Sequence, residues 1–197
     1  DKNHNYRAVL NCFIYNIKEY HTVKLVIDFV SIDNIIYLNY IDIDESGLNR
    51  VADEIRTVSD NVLCLVVDLS DRLSVERAVS HVIEHYGGLD ILVNNAGTVG
   101  DGGFVPEKLP HAVFGETIQT NLVGLWTCSQ EVGKRMLSDG MGGSIINITS
   151  VMGMGGAADH PLAYQTSKAG VINLTRNLAC SWADRGVRVN AIAPAYF

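Results

Sequence analysis

Apolar residues along this chain alternate between two patterns, a short unbroken run and a spaced repeat of helical period. The unbroken runs predict strands over 35–41, 62–67, 89–93, 144–148 and 187–193. The spaced repeats predict helices over 46–56, 74–86 and 113–137, and one from before residue 164 to about residue 183. Strands that alternate with helices of this length are joined by right-handed crossovers, so the order predicts an α/β fold with a parallel sheet covered on both faces.

Distinctive residues, four of them polar, fall where the predicted strands end. They are Asp42, Asp68, Asn94, Ser150 and Pro194. Ligands of parallel α/β sheets bind beyond the carboxyl ends of the strands. The pattern therefore predicts one binding site at that edge of the sheet.

Composition narrows the class of protein. The 197 residues, 47% hydrophobic and 19% charged, predict a single globular domain over 1–197. The net charge of −7 argues against nucleic acid or an anionic membrane as a partner, and no apolar run is long enough to span a bilayer. The four cysteines are widely spread and no signal peptide is recognisable, which favours reduced thiols in a cytoplasmic protein and no metal site.

The first 41 residues differ from the rest. All 18 glycines lie at or after Gly47, and 23 of these 41 residues are Phe, Tyr, Met, Ile, Asn or Lys. One interpretation is a different reading frame, an intron or a misjoined start; the other is a divergent but genuine first βαβ unit. Within the segment, 9–15 is a candidate strand and 23–30 a candidate strand or buried helix.

Tyr164 and Lys168 are the strongest candidates for chemistry. At i and i+4 they share one face of a helix, and an ammonium beside a phenol favours the phenolate and lowers its pKa from about 10. With the hydroxyl of Ser150 nearby, the set predicts proton transfer to or from an alcohol or carbonyl. The alternative is a solvated surface pair.

Two aspartates are candidate contacts to a dinucleotide. Asp42 suits the adenosine ribose 2′-OH and would repel a 2′-phosphate, or it is an N-cap in an acidic turn. Asp68, with the backbone of Leu69 beside it, is a candidate acceptor for the adenine amino group, or a turn aspartate.

The string Asn94-Asn95-Ala96-Gly97 follows a predicted strand. Its small residues allow backbone to approach a flat ligand, and its amides are suited to brace strands or touch a ribose; the alternative is an ordinary Asn/Gly turn.

Asn121 lies within a predicted helix, where asparagine is intrinsically unfavourable. Either a buried amide there holds a water that links to Lys168, or Asn121 is a surface residue. His160, with Asp159, is expected to shape the mouth of the loop before Tyr164.

Together the two aspartates, the NNAG string, Asn121, Ser150, Y-Q-T-S-K at 164–168 and N-A-I-A-P at 190–194 resemble the short-chain dehydrogenase/reductase family over 37–197. The likeness is greatest to 3-oxoacyl-carrier-protein reductases and to similar sugar-acid and secondary-alcohol dehydrogenases. It implies a Rossmann-type doubly wound sheet, a small-molecule substrate, NAD(P)-dependent hydride transfer between an alcohol and a ketone, and a homo-oligomer in the complete protein.

The resemblance also implies roles. Tyr164 would be the acid/base, Lys168 would lower its pKa and bind the nicotinamide ribose, Ser150 would position the substrate oxygen, and Asn121 would hold a proton-relay water. The cofactor-binding positions are then Asp42, Asp68, Leu69, Asn94, Ala96, Gly97, Tyr164, Lys168 and Pro194. Asp42 favours NAD over NADP.

Three departures from the family pattern leave a second possibility open. The motif T-G-x-x-x-G-x-G is expected near 17–24, where there is no glycine; Ala195 replaces the usual glycine after Pro194; and the chain stops at Phe197, before the family's substrate-covering helices and last strand. The alternative expectation is therefore a catalytically inactive fragment, incomplete at its C-terminal end and unable to hold cofactor.

Overall fold

A computed structural model describes residues 9–12, 38–42, 45–57, 62–100, 103–158 and 161–195. The strands of these residues form one parallel sheet: β1 (Val9–Cys12), β2 (Leu38–Asp42), β3 (Val62–Val66), β4 (Ile91–Asn94), β5 (Gly143–Ile148) and β6 (Val187–Ile192). Their order is β3-β2-β1-β4-β5-β6, with every neighbouring pair parallel. This is the strand order of doubly wound dinucleotide folds, so the predicted Rossmann-type architecture is confirmed.

Five α-helices connect or cover these strands in the described ranges: α1 (Glu45–Arg56), α2 (Arg72–Tyr86), α3 (His111–Ile118), α4 (Leu125–Asp139) and α5 (Leu162–Trp182). Short 3₁₀ turns lie at Pro106–Lys108, Val151–Gly153 and Ala183–Arg185. Local chemistry sets the ends of α2. The Asp71 side chain accepts from the N–H of Leu73, and Gly87 ends the helix in the left-handed conformation at φ 77°.

The core joins α2, α4 and the central strands. Val75 and Val82 of α2 pack with Val132 of α4 against Leu92 and Ile145 of the sheet. Burying such side chains contributes about 1.5–3 kcal/mol each, and this packing fixes the strands whose ends carry the candidate site.

The helix predicted over 113–137 is present as one continuous helical segment over 111–139, but it contains a turn of a different type. A π-helical turn, Gln119–Gly124, separates α3 from α4 and carries Asn121. Close packing accompanies the turn: a Cβ added to Gly124 would lie 2.8 Å from the carbonyl oxygen of Leu69. Apolar spacing does not reveal the π turn, because the repeat has ordinary α-helical intervals on both sides of this single turn.

The strand predicted over 62–67 as buried on both faces is instead an edge strand. It pairs with β2, residues 62–65 are half-buried, and Val66 is 55% exposed. A β-branched run indicates a strand, but it does not distinguish an edge from the centre of a sheet. The predictions for 13–15, 17–24, 23–30 and 159–160 lie outside the described residues.

Candidate functional site

The structure places the marked polar positions at one edge of the sheet. Asp42 and Asn94 are the last residues of β2 and β4. Asp68, Ser150 and Pro194 each follow the end of their strand by two residues. Because all these strands run in one direction, the five positions lie beyond the carboxyl ends, where doubly wound sheets bind ligands.

Tyr164 and Lys168 lie one turn apart on α5, and the lysine is buried. Its Nζ lies 5.6 Å from the centroid of the Tyr164 ring and donates to the carbonyl of Ile148 at 2.9 Å. The Lys168 side chain is 3% exposed, and this burial lowers its pKa from 10.5 to about 8. At neutral pH the ammonium is still mostly charged, so it favours the phenolate form of Tyr164.

Gly97 lies directly in front of this lysine. A Cβ added at Gly97 would be 3.3 Å from Lys168 Nζ and 3.4 Å from Asn121 Oδ1. The loop after β4 therefore passes the buried ammonium at a distance that a larger residue would crowd. This close approach explains why the last residue of the NNAG string is glycine.

Asn121 is fully buried, which excludes the surface interpretation. Its Oδ1 accepts from the N–H of Thr98 at 2.7 Å, and its Nδ2 donates to the Thr98 carbonyl at 2.8 Å and to Ser167 Oγ at 3.1 Å. Both amide hydrogens are thus used, so a water bound to this side chain would have to donate to Oδ1. The π turn, the loop after β4 and α5 are joined through this one amide.

Ser150 is buried at the start of the segment that leads to α5. Its Oγ accepts from the N–H of Met152 at 3.2 Å and caps the following 3₁₀ turn. The preceding Thr149 donates its hydroxyl to the carbonyl of Lys168 at 2.8 Å. Sequence reasoning missed Thr149, although it lies beside Ser150 and fixes this segment to the helix of Tyr164.

The other cofactor-binding candidates differ in environment. Asp68 Oδ1 accepts from the N–H and the hydroxyl of Ser70, at 2.8 and 2.7 Å, which is the turn-aspartate geometry. Leu69 and Ala96 are buried in the core, so only their backbone suits a ligand contact. The carbonyl of Pro194 accepts from the backbone N–H of Val151 at 3.1 Å. Ligand roles for these residues and for Asp42 stay predictions.

A buried polar network underlies the site. Asn94 donates to Ser129 Oγ and to Asn147 Oδ1, and Asn147 donates to Thr175 Oγ1, each at 2.9 Å. Asn94 thus braces neighbouring elements, one of the roles anticipated for it. Ser129, Asn147 and Thr175 were missed; the signal was the single asparagine inside the apolar run of β5.

A family model described as short chain dehydrogenase matches residues 28–197. The chain belongs to the short-chain dehydrogenase family. It is 37% identical over 153 residues to the (2S)-[(R)-hydroxy(phenyl)methyl]succinyl-CoA dehydrogenase subunit of Thauera aromatica, covering 78% of this chain and 60% of that protein. It is 34% identical over 155 residues to the 3-oxoacyl-[acyl-carrier-protein] reductase of Thermotoga maritima, covering 79% and 61%.

Solved structures of this short-chain dehydrogenase family show the same fold. Actinorhodin polyketide ketoreductase with NADPH superposes with a TM-score of 0.76 at 32% identity, covering 82% of this chain and 61% of that one. NAD⁺-bound xylitol dehydrogenase gives 0.76 at 29% identity, with the same two coverages. The chain spans about three-fifths of the length of the curated relatives it matches.

Two features are absent from the described residues. None of their helices combines the length and the hydropathy needed to cross a bilayer. In the same ranges, no three His, Cys, Asp or Glu side chains come together as a metal site would require.

Proposed function

We propose that this protein is an oxidoreductase that transfers a hydride between a nicotinamide cofactor and a secondary alcohol or ketone of the 3-oxoacyl, sugar-acid or similar class. The observation that carries the proposal is the buried Lys168, whose Nζ lies 5.6 Å from the Tyr164 ring centroid. A charged ammonium held beside a phenol stabilises the phenolate, so the phenol can exchange a proton near neutral pH.

Each residue of the set then has a chemical task. Tyr164 takes the proton of a substrate hydroxyl in oxidation and returns it to the oxygen in reduction. Lys168 stabilises the phenolate, and the Ser150 hydroxyl orients the substrate oxygen. A nicotinamide, when bound, accepts or supplies the hydride.

Two features close to the strand ends support such a cofactor. Among the described residues, Lys168 Nζ donates to the Ile148 carbonyl alone, so two further hydrogens remain for ribose hydroxyls. The close approach at Gly97 leaves backbone rather than a side chain in front of that ammonium. We further propose NAD in preference to NADP, because Asp42 at the end of β2 would repel a 2′-phosphate.

Thermal unfolding with added nucleotide tests the proposal. About 1 mM NADH should raise the melting temperature through mass action, and NADPH should raise it less. Turnover is then measured with a 3-oxoacyl thioester, a cyclic ketone and a polyol. NADPH turnover equal to NADH turnover would overturn the cofactor preference.

One observation favours a second candidate, a family member that has lost cofactor binding. The first 46 residues contain no glycine, and the family model begins at residue 28, after the positions where the glycine motif is expected. Side chains at those positions would block the approach of backbone N–H groups to a pyrophosphate. No melting shift and no turnover with either nucleotide would decide for this candidate.

We also propose a cytoplasmic location, which the widely spread cysteines favour, and a homo-oligomer, which the family resemblance implies. Light scattering tests the assembly, and a monomeric mass would contradict it.

A further inference from the structure

Beyond the Thr149 hydrogen bond, the segment between β5 and α5 is anchored to α5 at two further points, and the first is Gly153. A Cβ added to Gly153 would lie 2.6 Å from the carbonyl carbon of Lys168 and 2.7 Å from the backbone nitrogen of Ala169. Real Cβ atoms do not approach backbone so closely, so the contact requires glycine. The 3₁₀ turn after Ser150 therefore rests directly on the helix backbone beside Lys168.

The second anchor is the side chain of Gln165, the residue after Tyr164. Its Oε1 accepts from the N–H of Ala157 at 3.0 Å, and its Nε2 donates to the carbonyl of Ala157 at 3.2 Å. An N–H only donates and a carbonyl only accepts, so this pair of contacts fixes the orientation of the amide. Gln165 is buried, which makes both contacts costly to lose.

Between the two anchors the chain is exposed. Met154 is 73% exposed, and a Cβ added at Gly155 or Gly156 would meet no atom within 4 Å. Glycines lose more backbone freedom on ordering than other residues do, so residues 154–156 have little preference for one conformation by themselves. Its position is set by Gly153 at one end and Gln165 at the other.

We propose that Gln165 is a positioning residue for the substrate. By holding Ala157 it fixes the 153–157 loop, which leaves Ser150 and returns to the helix that carries Tyr164. Because Ser150 and Tyr164 are the residues proposed above to contact the substrate oxygen, loss of the anchor weakens substrate binding without changing cofactor binding. This role rests on the function proposed above.

Gln165→Met tests the anchor, because methionine has a similar shape but lacks the amide that forms both hydrogen bonds. Hydrogen exchange, resolved at the Ala157 amide, should accelerate about tenfold, while amides of β5 and of the rest of α5 stay protected. Asn177→Met, an exposed change on the same helix, is the matched control and should leave exchange unaltered. Unchanged exchange at Ala157 in Gln165→Met would overturn the anchor.

Kinetics test the consequence. With saturating NADH, Gln165→Met should raise the KM for the ketone about tenfold, while the KM for NADH and the NADH melting shift stay at the wild-type values. Gly153→Ala, which displaces the other anchor, should raise the same KM. Faster exchange at Ala157 with an unchanged ketone KM would overturn the positioning role. Absence of turnover in the wild type would overturn the proposed function and the substrate role with it, whereas the exchange result still decides the anchor.

Discussion

The two halves of the sheet are held together in different ways. In the half built on β4, β5 and β6, buried side chains join separate elements: the pairs are Asn94–Ser129, Asn94–Asn147, Asn147–Thr175 and Asn121–Ser167. In the half that ends at β3, the polar contacts of the described residues are mostly exposed and local: the pairs are Arg56–Asp53, Ser70–Asp68 and Arg72–Glu76.

This difference in polar contacts is expected from the function proposed for each half. Proton transfer needs groups fixed within hydrogen-bonding distance, and buried amide–hydroxyl contacts give that fixity because they are directional and costly to leave unmade. In the other half, the roles predicted for Asp42 and Asp68 are single contacts at strand ends, which need less mutual alignment. Changes in the half built on β4, β5 and β6, where proton transfer is proposed, should therefore have larger effects.

The largest effect is expected at Tyr164. Tyr164→Phe removes the proton donor and keeps the ring beside Lys168, so kcat should fall by about a hundredfold or more. The NADH melting shift should persist, since the hydroxyl contributes little to holding a dinucleotide. Steady-state kinetics and thermal unfolding measure the two quantities.

Tyr86→Phe is the matched control, because Tyr86 lies at the end of α2, in a different element from Tyr164. Its kcat should equal that of the wild type. Turnover that survives Tyr164→Phe would show that another group exchanges the proton.

The next effect is a pH dependence of stability due to Lys168. Burial lowers its pKa in the folded state from 10.5 to about 8, so above that value the folded protein releases a proton that the unfolded chain still binds. Stability due to this group therefore rises with pH across that window and is lost as pH falls through about 8. Relative to Lys168→Met, the wild type should gain about 3 kcal/mol in free energy of unfolding between pH 7 and pH 10.5.

Urea unfolding of both proteins across this pH range measures the difference. Lys134→Met, at an exposed lysine of α4, is the control and should follow the wild type at every pH. Parallel curves for the wild type and Lys168→Met would mean that the lysine is not desolvated.

A smaller loss is expected from the buried network. Asn147→Ala removes the acceptor of Asn94 and the donor to Thr175, both at 2.9 Å, so each of these buried partners loses one hydrogen bond and keeps one. The free energy of unfolding should fall by about 1–3 kcal/mol, as measured by urea unfolding.

Asn177→Ala supplies the comparison for this network. The Asn177 side chain is exposed and bonds within its own helix, to the carbonyl of Asn173. The Asn177→Ala substitution should change the free energy of unfolding by less than about 0.5 kcal/mol. Equal losses in the two variants would mean that the network does not hold the proton-transfer half together.

Much of this half was predictable from short-range patterns. Strands 144–148 and 187–193, and the helix of Tyr164 and Lys168, follow from local hydrophobic period, and a lysine one turn from a tyrosine needs no tertiary information. The gathering of polar residues at one edge also follows, because parallel strands carry their ends to the same side.

The contacts that hold the site required the structure. Asn94 and Asn147 are 53 residues apart and Asn121 and Ser167 are 46 apart, so no local period relates them. The π turn could not be predicted for a different reason: the apolar repeat has ordinary α-helical intervals on both sides of it. The requirement for glycine at position 153 could not be predicted from the sequence, because its close approach to α5 is a tertiary contact.

The smallest effect is expected at Arg72, which joins α2 to α4 across the surface. Its guanidinium bonds Glu76 at 2.6 Å and Glu131 at 3.5 Å, and its side chain is 61% exposed. Water and salt screen such a pair, and Glu131 keeps Lys134 at 2.7 Å when Arg72 is removed. Arg72→Ala should therefore leave the urea midpoint unchanged within error, in low salt and in about 1 M NaCl. A drop as large as that of Asn147→Ala would show that surface ion pairs, and not the buried amides, join the helices around the site.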